Sequence, residues 1–388
     1  MDTHISSRKD DHLRLAGQFY AAAHSRQTEQ IGRSEHREID DVQFIHNSLP
    51  ETNRADVSRE TSFAGIHVDR PFFINAMTGG TEKTNEVNRR LAAVAQKTGI
   101  PLALGSMSIA VKNAQTRDAY KALRQDFPDV CFIANLGAEH TLESAGLVTD
   151  LIGASALQIH LNAAQEIVMP EGERDFTGWI DHISQFVSEL GVPVIVKEVG
   201  FGMSYATVAK LLDIGVMTVD IAGRGGTNFI QIENARNAEH DYDYLEGWGI
   251  STLRSLSEAL FACRDMQIDA EIIASGGVQN PLDIVKYLAL GADAVGLSAP
   301  FLHSVTGGSS DSDSARDAVS RTVDLIQEWD GHIANIMTIL GVTSIEDLRE
   351  NAEIVLPESL VQYLSQRFAG RDSEQFLMTL TSLSKFRK

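Results

Sequence analysis

The chain of 388 residues carries 33 lysines and arginines against 53 aspartates and glutamates, a formal charge of −20, with 43% hydrophobic and 22% charged residues. That charge excludes a general attraction to nucleic acid or to an anionic membrane face, both of which require basic surface, so an anionic ligand would need a local cluster of cations. No uncharged apolar run reaches the roughly 18 residues of a spanning helix, and the polar first thirty residues do not read as a secretion signal, so a cytoplasmic protein is expected.

In chain order, residues 1–70 read as an N-terminal extension: a helix starting at Ser7-Arg8-Lys9-Asp10-Asp11-His12 with Ser7 as its cap, then irregular polar segments and a short hairpin. On that helix Arg8 and His12 lie one turn apart with Lys9 beside them. This is either an exposed helix start or a cationic edge whose two first-turn cations, unfavourable to the helix dipole, are compensated by an external anion. Eight short apolar runs follow: FFINAM from Phe72, LALG from Leu102, CFIANL from Cys131, ALQIHL from Ala156, PVIVKEV from Pro193, VMTVDIA from Val216, EIIASGG from Glu271 and DAVGLSA from Asp293. Helical spacing fills the gaps, as in the segments from Thr84 and from Asn280, the latter with an Asn cap, Pro at the first helical position and a close on Gly291. Cys131 and Cys263 sit in such apolar stretches and read as reduced core thiols.

Strands apolar on both faces suit a parallel sheet covered by helices, and eight βα units close a (β/α)8 TIM barrel, expected over residues 71–340. An open doubly wound sheet is the alternative, because Gly200-x-Gly202-x-Ser204 follows a strand and Asp220 comes about 20 residues on. The third glycine of that fingerprint is missing, however. The stretch from Thr306 reads as a loop before a helix from about Ala315 to Leu340, and 341–388 as C-terminal helical packing.

A barrel places its chemistry where strands end. Ser275-Gly276-Gly277-Val278 and Gly296-Leu297-Ser298-Ala299 close the last two runs, where backbone N–H groups and a helix start suit a phosphate. Lys197 brings an ammonium to the mouth of the fifth run, for a flavin or a substrate anion, or for a salt bridge to Glu198 or a neighbouring strand; alternation along the strand makes Glu198 a poor partner. Ser106 and Asn135 suit the rim of a heteroaromatic ring or a helix cap, and Thr78 and Thr227 a phosphate or a local amide. The fourth run gives the densest set, Gln158, His160, Asn162, Gln165 and Glu166. His160 and Asn162 share one face, and the single carboxylate of Glu166 suffices for magnesium that takes its other ligands from water and phosphate, though not for zinc.

From Arg8 to Arg367 these motifs, RKDDH, NAMTGG, LGSM, IANLGA, QIHLNAAQE with MPEGERDF, VIVKEVGFGMS, DIAGRGGTNF, and ASGGV with GLSAP, resemble the type 2 isopentenyl-diphosphate isomerases. The resemblance implies a barrel that uses reduced FMN, with NADPH as reductant and Mg2+, to move a double bond without net redox change, as a tetramer or octamer. It implies FMN contacts at Met77, Thr78, Gly79, Ser106, Asn135, Lys197, Thr227, Gly276, Gly277, Val278, Ser298 and Ala299. It further implies diphosphate and substrate contacts at Arg8, Lys9, His12, Ser106, Met107, Ser108, Asn162 and Gln165, catalytic roles for His160 and Gln165, and magnesium on Glu166. Two positions depart from the pattern: some members carry Arg in place of Ser108 and Ser in place of Ala222. The main rival is an FMN-dependent 2-hydroxy acid oxidoreductase, which needs a His-Gly base after the sixth strand where this chain has Ala222-Gly223; a flavin-binding protein without catalysis would not need His160, Gln165 and Glu166 in one loop.

Overall fold

The computed structural model describes residues 2–29, 37–77, 79–237, 242–306 and 315–369, with side chains at 2–8, 23–29 and 315 left outside that description. Eight parallel strands close a barrel: β1 (Phe72–Ile74), β2 (Leu102–Ala103), β3 (Phe132–Gly137), β4 (Ala156–Leu161), β5 (Val194–Glu198), β6 (Thr218–Asp220), β7 (Glu271–Ser275) and β8 (Ala294–Leu297), with β8 pairing back onto β1. Each of the eight apolar runs supplies one strand, and the open-sheet alternative is set aside. The expected loop after Thr306 falls at 307–314, outside the described residues.

Period-two alternation sorts the strand side chains. On β3, Phe132, Ala134 and Leu136 face outward into one large core shared with the helices, while Ile133 joins a separate interior cluster. That cluster, Phe73, Ala103, Ile133, Ala156, Ile195, Ile273 and Ala294, fills the lower barrel and is plugged by the hairpin Thr61–Phe63 and Ile66–Val68, whose Phe63 stacks on Phe73 at 4.8 Å. Burying one of these large side chains stabilises the fold by about 1.5–3 kcal/mol.

The helices obey their caps. Glu82–Thr98 starts at Thr81, whose hydroxyl accepts from Thr84 N–H, and ends on left-handed Gly99; Pro281–Ala289 starts at Asn280, whose side chain accepts from Asp283 N–H. The helix expected near 315–340 spans Ala315–Leu340. Two expectations are corrected. The N-terminal helix runs Asp2–Glu29, so Ser7 lies inside it rather than capping it, and Arg8 and Lys9 are not first-turn cations. The dipole argument therefore does not apply to them, because the effect dies away beyond the first turn. The C-terminal part is not purely helical: Ile354–Val355 pairs antiparallel with Gln43–Phe44, tying the extension to the far end of the chain. Among the described residues no helix is long and apolar enough to cross a membrane.

Candidate active site

Two residues above the apolar plug, the interior turns polar. Asn75, Asn135, Gln158, Lys197, Asp220 and Ser275 are all buried there, with Asn135 in register with Gln158, His160 with Lys197, and Lys197 with Asp220. They form a directed relay. His160 Nδ1 lies 2.9 Å from Asn135 Oδ1, Asn135 Nδ2 donates to Gln158 Oε1 at 3.2 Å, Gln158 Nε2 to Asn75 Oδ1 at 2.9 Å, and Asn75 Nδ2 to Asp220 Oδ2 at 2.7 Å. Every amide accepts on one side and donates on the other, so the Asp220 carboxylate at the end fixes the direction of the whole chain. The proton of His160 is thereby assigned to Nδ1. Ser275 Oγ also donates to Asp220, and Lys197 Nζ lies 3.5 Å from it.

Lys197 thus has the neighbouring-strand salt bridge named as its structural alternative. As alternation required, the Glu198 carboxylate turns elsewhere, accepting the N–H groups of Val199, Gly200, Phe201 and Gly202 at 2.5–3.2 Å. Burial pushes the Glu198 carboxyl up to about 7 against those donors and the nearby Lys197 charge. Burial likewise lowers His160 to about 4, opposed by Glu139 and reinforced by His140, Lys197 and Lys9. His160 is consequently neutral at pH 7 in the ligand-free protein.

The expected phosphate turn lies between β7 and the helix Pro281–Ala289. Gly276 has φ +95°, and a Cβ there would overlap the Gly223 carbonyl oxygen. The turn is braced by Thr252 Oγ1, which donates to Gly276 O at 2.7 Å, and by Arg37, whose Nη1 donates to Gly277 O at 2.9 Å and to Asp283 at 2.5 Å. Beside it, Ser298 Oγ points to the Ala76 carbonyl at 3.4 Å, and the helix Ala299–Thr306 starts directly after. Met77 is half-buried and Gly79 buried at the end of β1, and Thr227 is half-buried after β6; Thr78 lies outside the described residues.

Above β4 the helix Ala163–Val168 carries Gln165 and Glu166. Asn162 Nδ2 donates to Glu166 Oε1 at 2.7 Å, and Glu173 N–H to Glu166 Oε2 at 2.8 Å. Lys9 is buried, with Nζ 3.4 Å from the Ser106 carbonyl. His12 Nε2 and Gln165 Nε2 meet on the same atom, Glu233 Oε1, at 2.7 and 3.3 Å, and Arg236 pairs with the other oxygen. Burial would raise the Glu233 carboxyl, but the hydrogen bond and charge of His12, with Arg236 and Gln165, hold it below the usual range. The side chain of Arg8 lies outside the described residues. Met107 is fully buried in the main core, so a ligand meets its backbone, not its side chain.

The profile of the family "FMN-dependent dehydrogenase" matches residues 139–354. An isopentenyl-diphosphate delta-isomerase of Latilactobacillus sakei is 43% identical over 362 residues, covering 93% of this chain and 96% of the relative. The enzyme of that name from a Streptomyces strain is 42% identical over 378 residues, covering 97% and 96%. The chain belongs to the isopentenyl-diphosphate delta-isomerase family. The barrel is similar to a mutant flavocytochrome b2 with pyruvate bound, at TM-score 0.58 and 20% identity over 84% of this chain and 78% of that one. A mandelate oxidase mutant gives 0.55 and 15%, over 82% and 90%. Both likenesses are of fold.

Several residues of this family member escaped the reading of its sequence. Asn75 stands two residues after interior Phe73, and the same parity marks Asp220, like Gln158 of the fourth run, as an interior polar group. Glu233 and Arg37 carry no local signal, since their partners come from distant segments. At the end of β6, Ala222 adopts φ +26°, a left-handed conformation that L-residues take at a cost.

Proposed function

We propose that this chain interconverts isopentenyl and dimethylallyl diphosphate, using reduced FMN and Mg2+, with NADPH as reductant and no net redox change. The observation that carries this reading is convergence: Lys9, His12, His160, Asn162 and Gln165 gather over the same barrel end as the glycine turn of β7. FMN fits these residues. Its phosphate suits Gly276, Gly277, Val278, Ser298, Ala299 and Thr227, where a Cβ at Gly276 has no room. Its ring suits the rim made by Met77, Gly79, Ser106, Asn135 and Lys197, and the family resemblance adds Thr78 as a contact. When bound, reduced FMN supplies ring nitrogens as acid and base and an electron-rich face that stabilises transient positive charge.

The chain's residues do the rest. Arg8, Lys9, His12, Ser106, Met107 (through its backbone), Ser108 and Asn162 hold the substrate and its diphosphate. Glu166, pre-oriented by Asn162 and Glu173, holds the magnesium that separates its own charge from about three substrate charges. Gln165, fixed by Glu233, orients the alkene, and His160 faces the reacting end with its Nδ1 proton set by the relay. A homotetramer or octamer in the cytoplasm is part of the same reading.

The oxidoreductase reading draws on the FMN-dependent dehydrogenase profile and the fold likeness, and Ala222 offers no base. Purified protein with FMN, Mg2+ and NADPH or dithionite should convert isopentenyl diphosphate while consuming no reductant in proportion to product. Steady NADPH oxidation matched to turnover would overturn the isomerase assignment.

A further inference from the structure

Over the end of β3 lie two side chains that the roles above leave unused, Glu139 and His140. Gly137 closes the strand in register with His160, and a Cβ on Gly137 would overlap the Glu139 carboxylate, which therefore lies directly over the strand end. His140 Nε2 is 3.2 Å from Glu139 Oε1 and 2.8 Å from Ser108 Oγ. Ser108 Oγ in turn is 2.8 Å from Ser106 Oγ, whose backbone carbonyl accepts from Lys9 at 3.4 Å.

The backbone here is pinned. His140 N–H donates to Gly137 O at 3.3 Å, His182 Nδ1 lies 2.9 Å from Ala138 O, and Thr141 caps the helix Leu142–Ile152, whose N-terminus favours negative charge.

Ser108, His140 and Glu139 do not form a nucleophile relay, because hydroxyl and carboxylate both meet Nε2, whereas a relay engages opposite ring nitrogens. What His140 and Ser108 form is a seat for an anion, and the anion in it is the protein's own. Burial alone would raise the Glu139 carboxyl. The hydrogen bond from His140 and the charges of His160 and His140 outweigh burial and hold it at about 2.

We infer that the Glu139 carboxylate is an internal substitute for a phosphate group: it fills this seat in the free protein, and an incoming diphosphate displaces it and takes over the His140 Nε2–H. The exposures match those parts. The Glu139 side chain is 45% exposed and has open solvent to swing into, whereas His140 at 9% stays fixed. This deepens the diphosphate reading and rests on it. It adds a ligand, His140, beside Ser108, and it gives the binding step a competitor inside the chain.

The test is calorimetry with inorganic pyrophosphate on the flavin-loaded full chain without reductant, so that turnover plays no part. His140→Ala should weaken binding about tenfold or more, the loss of one hydrogen bond to a charged group. Adding Ser108→Arg to that variant should restore most of the affinity, and flavin content should stay level throughout. Glu139→Gln should tighten binding about threefold by removing a partly exposed competing charge. Weaker binding in Glu139→Gln would mean that Glu139 only orients His140, and unchanged binding in His140→Ala would remove His140 from the seat; either result overturns the inference, as does an unaltered protein that fails to bind pyrophosphate. A protein that isomerises isopentenyl diphosphate while both variants bind pyrophosphate normally would sink this inference alone. One that binds pyrophosphate with the expected variant pattern yet never isomerises would sink the wider reading alone.

Discussion

Lys197→Met tests the polar layer most directly. Lys197 Nζ lies 3.5 Å from Asp220 Oδ2 and donates to the Glu198 carbonyl at 2.8 Å, and Asp220 has no exposed surface. Removing one partner of a buried pair costs about 3–5 kcal/mol, because the other charge is left uncompensated. Asp220 keeps donors from Asn75, Ser275 and the Ala222 N–H, which places the loss near the lower end, about 3 kcal/mol. In urea unfolding of the flavin-free protein, the midpoint should fall by about 1 M if the slope is near 3 kcal/mol per M. The double variant Lys197→Met with Asp220→Asn removes the stranded charge and keeps an acceptor for Asn75, so it should recover to within about 1 kcal/mol of the unaltered protein. Neither variant should bind FMN normally, since both lack the cation. A single variant as stable as the unaltered protein, or a double variant as unstable as the single, would refute the reasoning.

Glu166→Gln should abolish the magnesium dependence and most turnover while flavin content stays normal; magnesium-stimulated activity at the usual level would remove the metal from Glu166. Gly276→Ala combines a positive φ with overlap on Gly223, so it should destabilise the protein by about 1–3 kcal/mol and leave the purified protein nearly colourless, read as the flavin-to-protein absorbance ratio. For His160, burial depresses the folded pKa from 6.5 to about 4, so the unfolded chain binds more protons between those values. The associated stability is fully present above pH 6.5 and is lost as pH falls toward 4, a loss of about 3 kcal/mol. His160→Gln should flatten that slope in a denaturation series across pH, and an unchanged slope would reject the assignment.

The barrel was legible because burial writes itself into the strands: eight apolar runs separated by capped helices leave few topologies open. The runs overshoot the ladders, for Leu104 and Ile221 stay fully buried after β2 and β6 end, and hydrophobicity reports burial, not pairing. Motif-rich strand ends such as His160, Asn162, Gln165 and Glu166 stood out because polar clusters are rare in apolar surroundings. Glu233, Arg37 and the Glu139–His140 pair did not, as their meaning comes from partners brought in by the closed barrel and the N-terminal helix. Ser7 misled for a simpler reason: a good capping residue also occurs inside a helix when the helix begins earlier.

The loops after β6 and β7 meet backbone to backbone. A Cβ on Gly226 would lie 2.6 Å from Gly277 N, and one on Gly277 would lie 2.6 Å from Gly225 O. With no side chains between them to act as bearings, the two loops have nothing on which to slide, so either can shift only by carrying the other. A ligand that seats its phosphate in the β7 turn therefore also fixes the rim of β6, and the mouth of the barrel should close around it as one jaw.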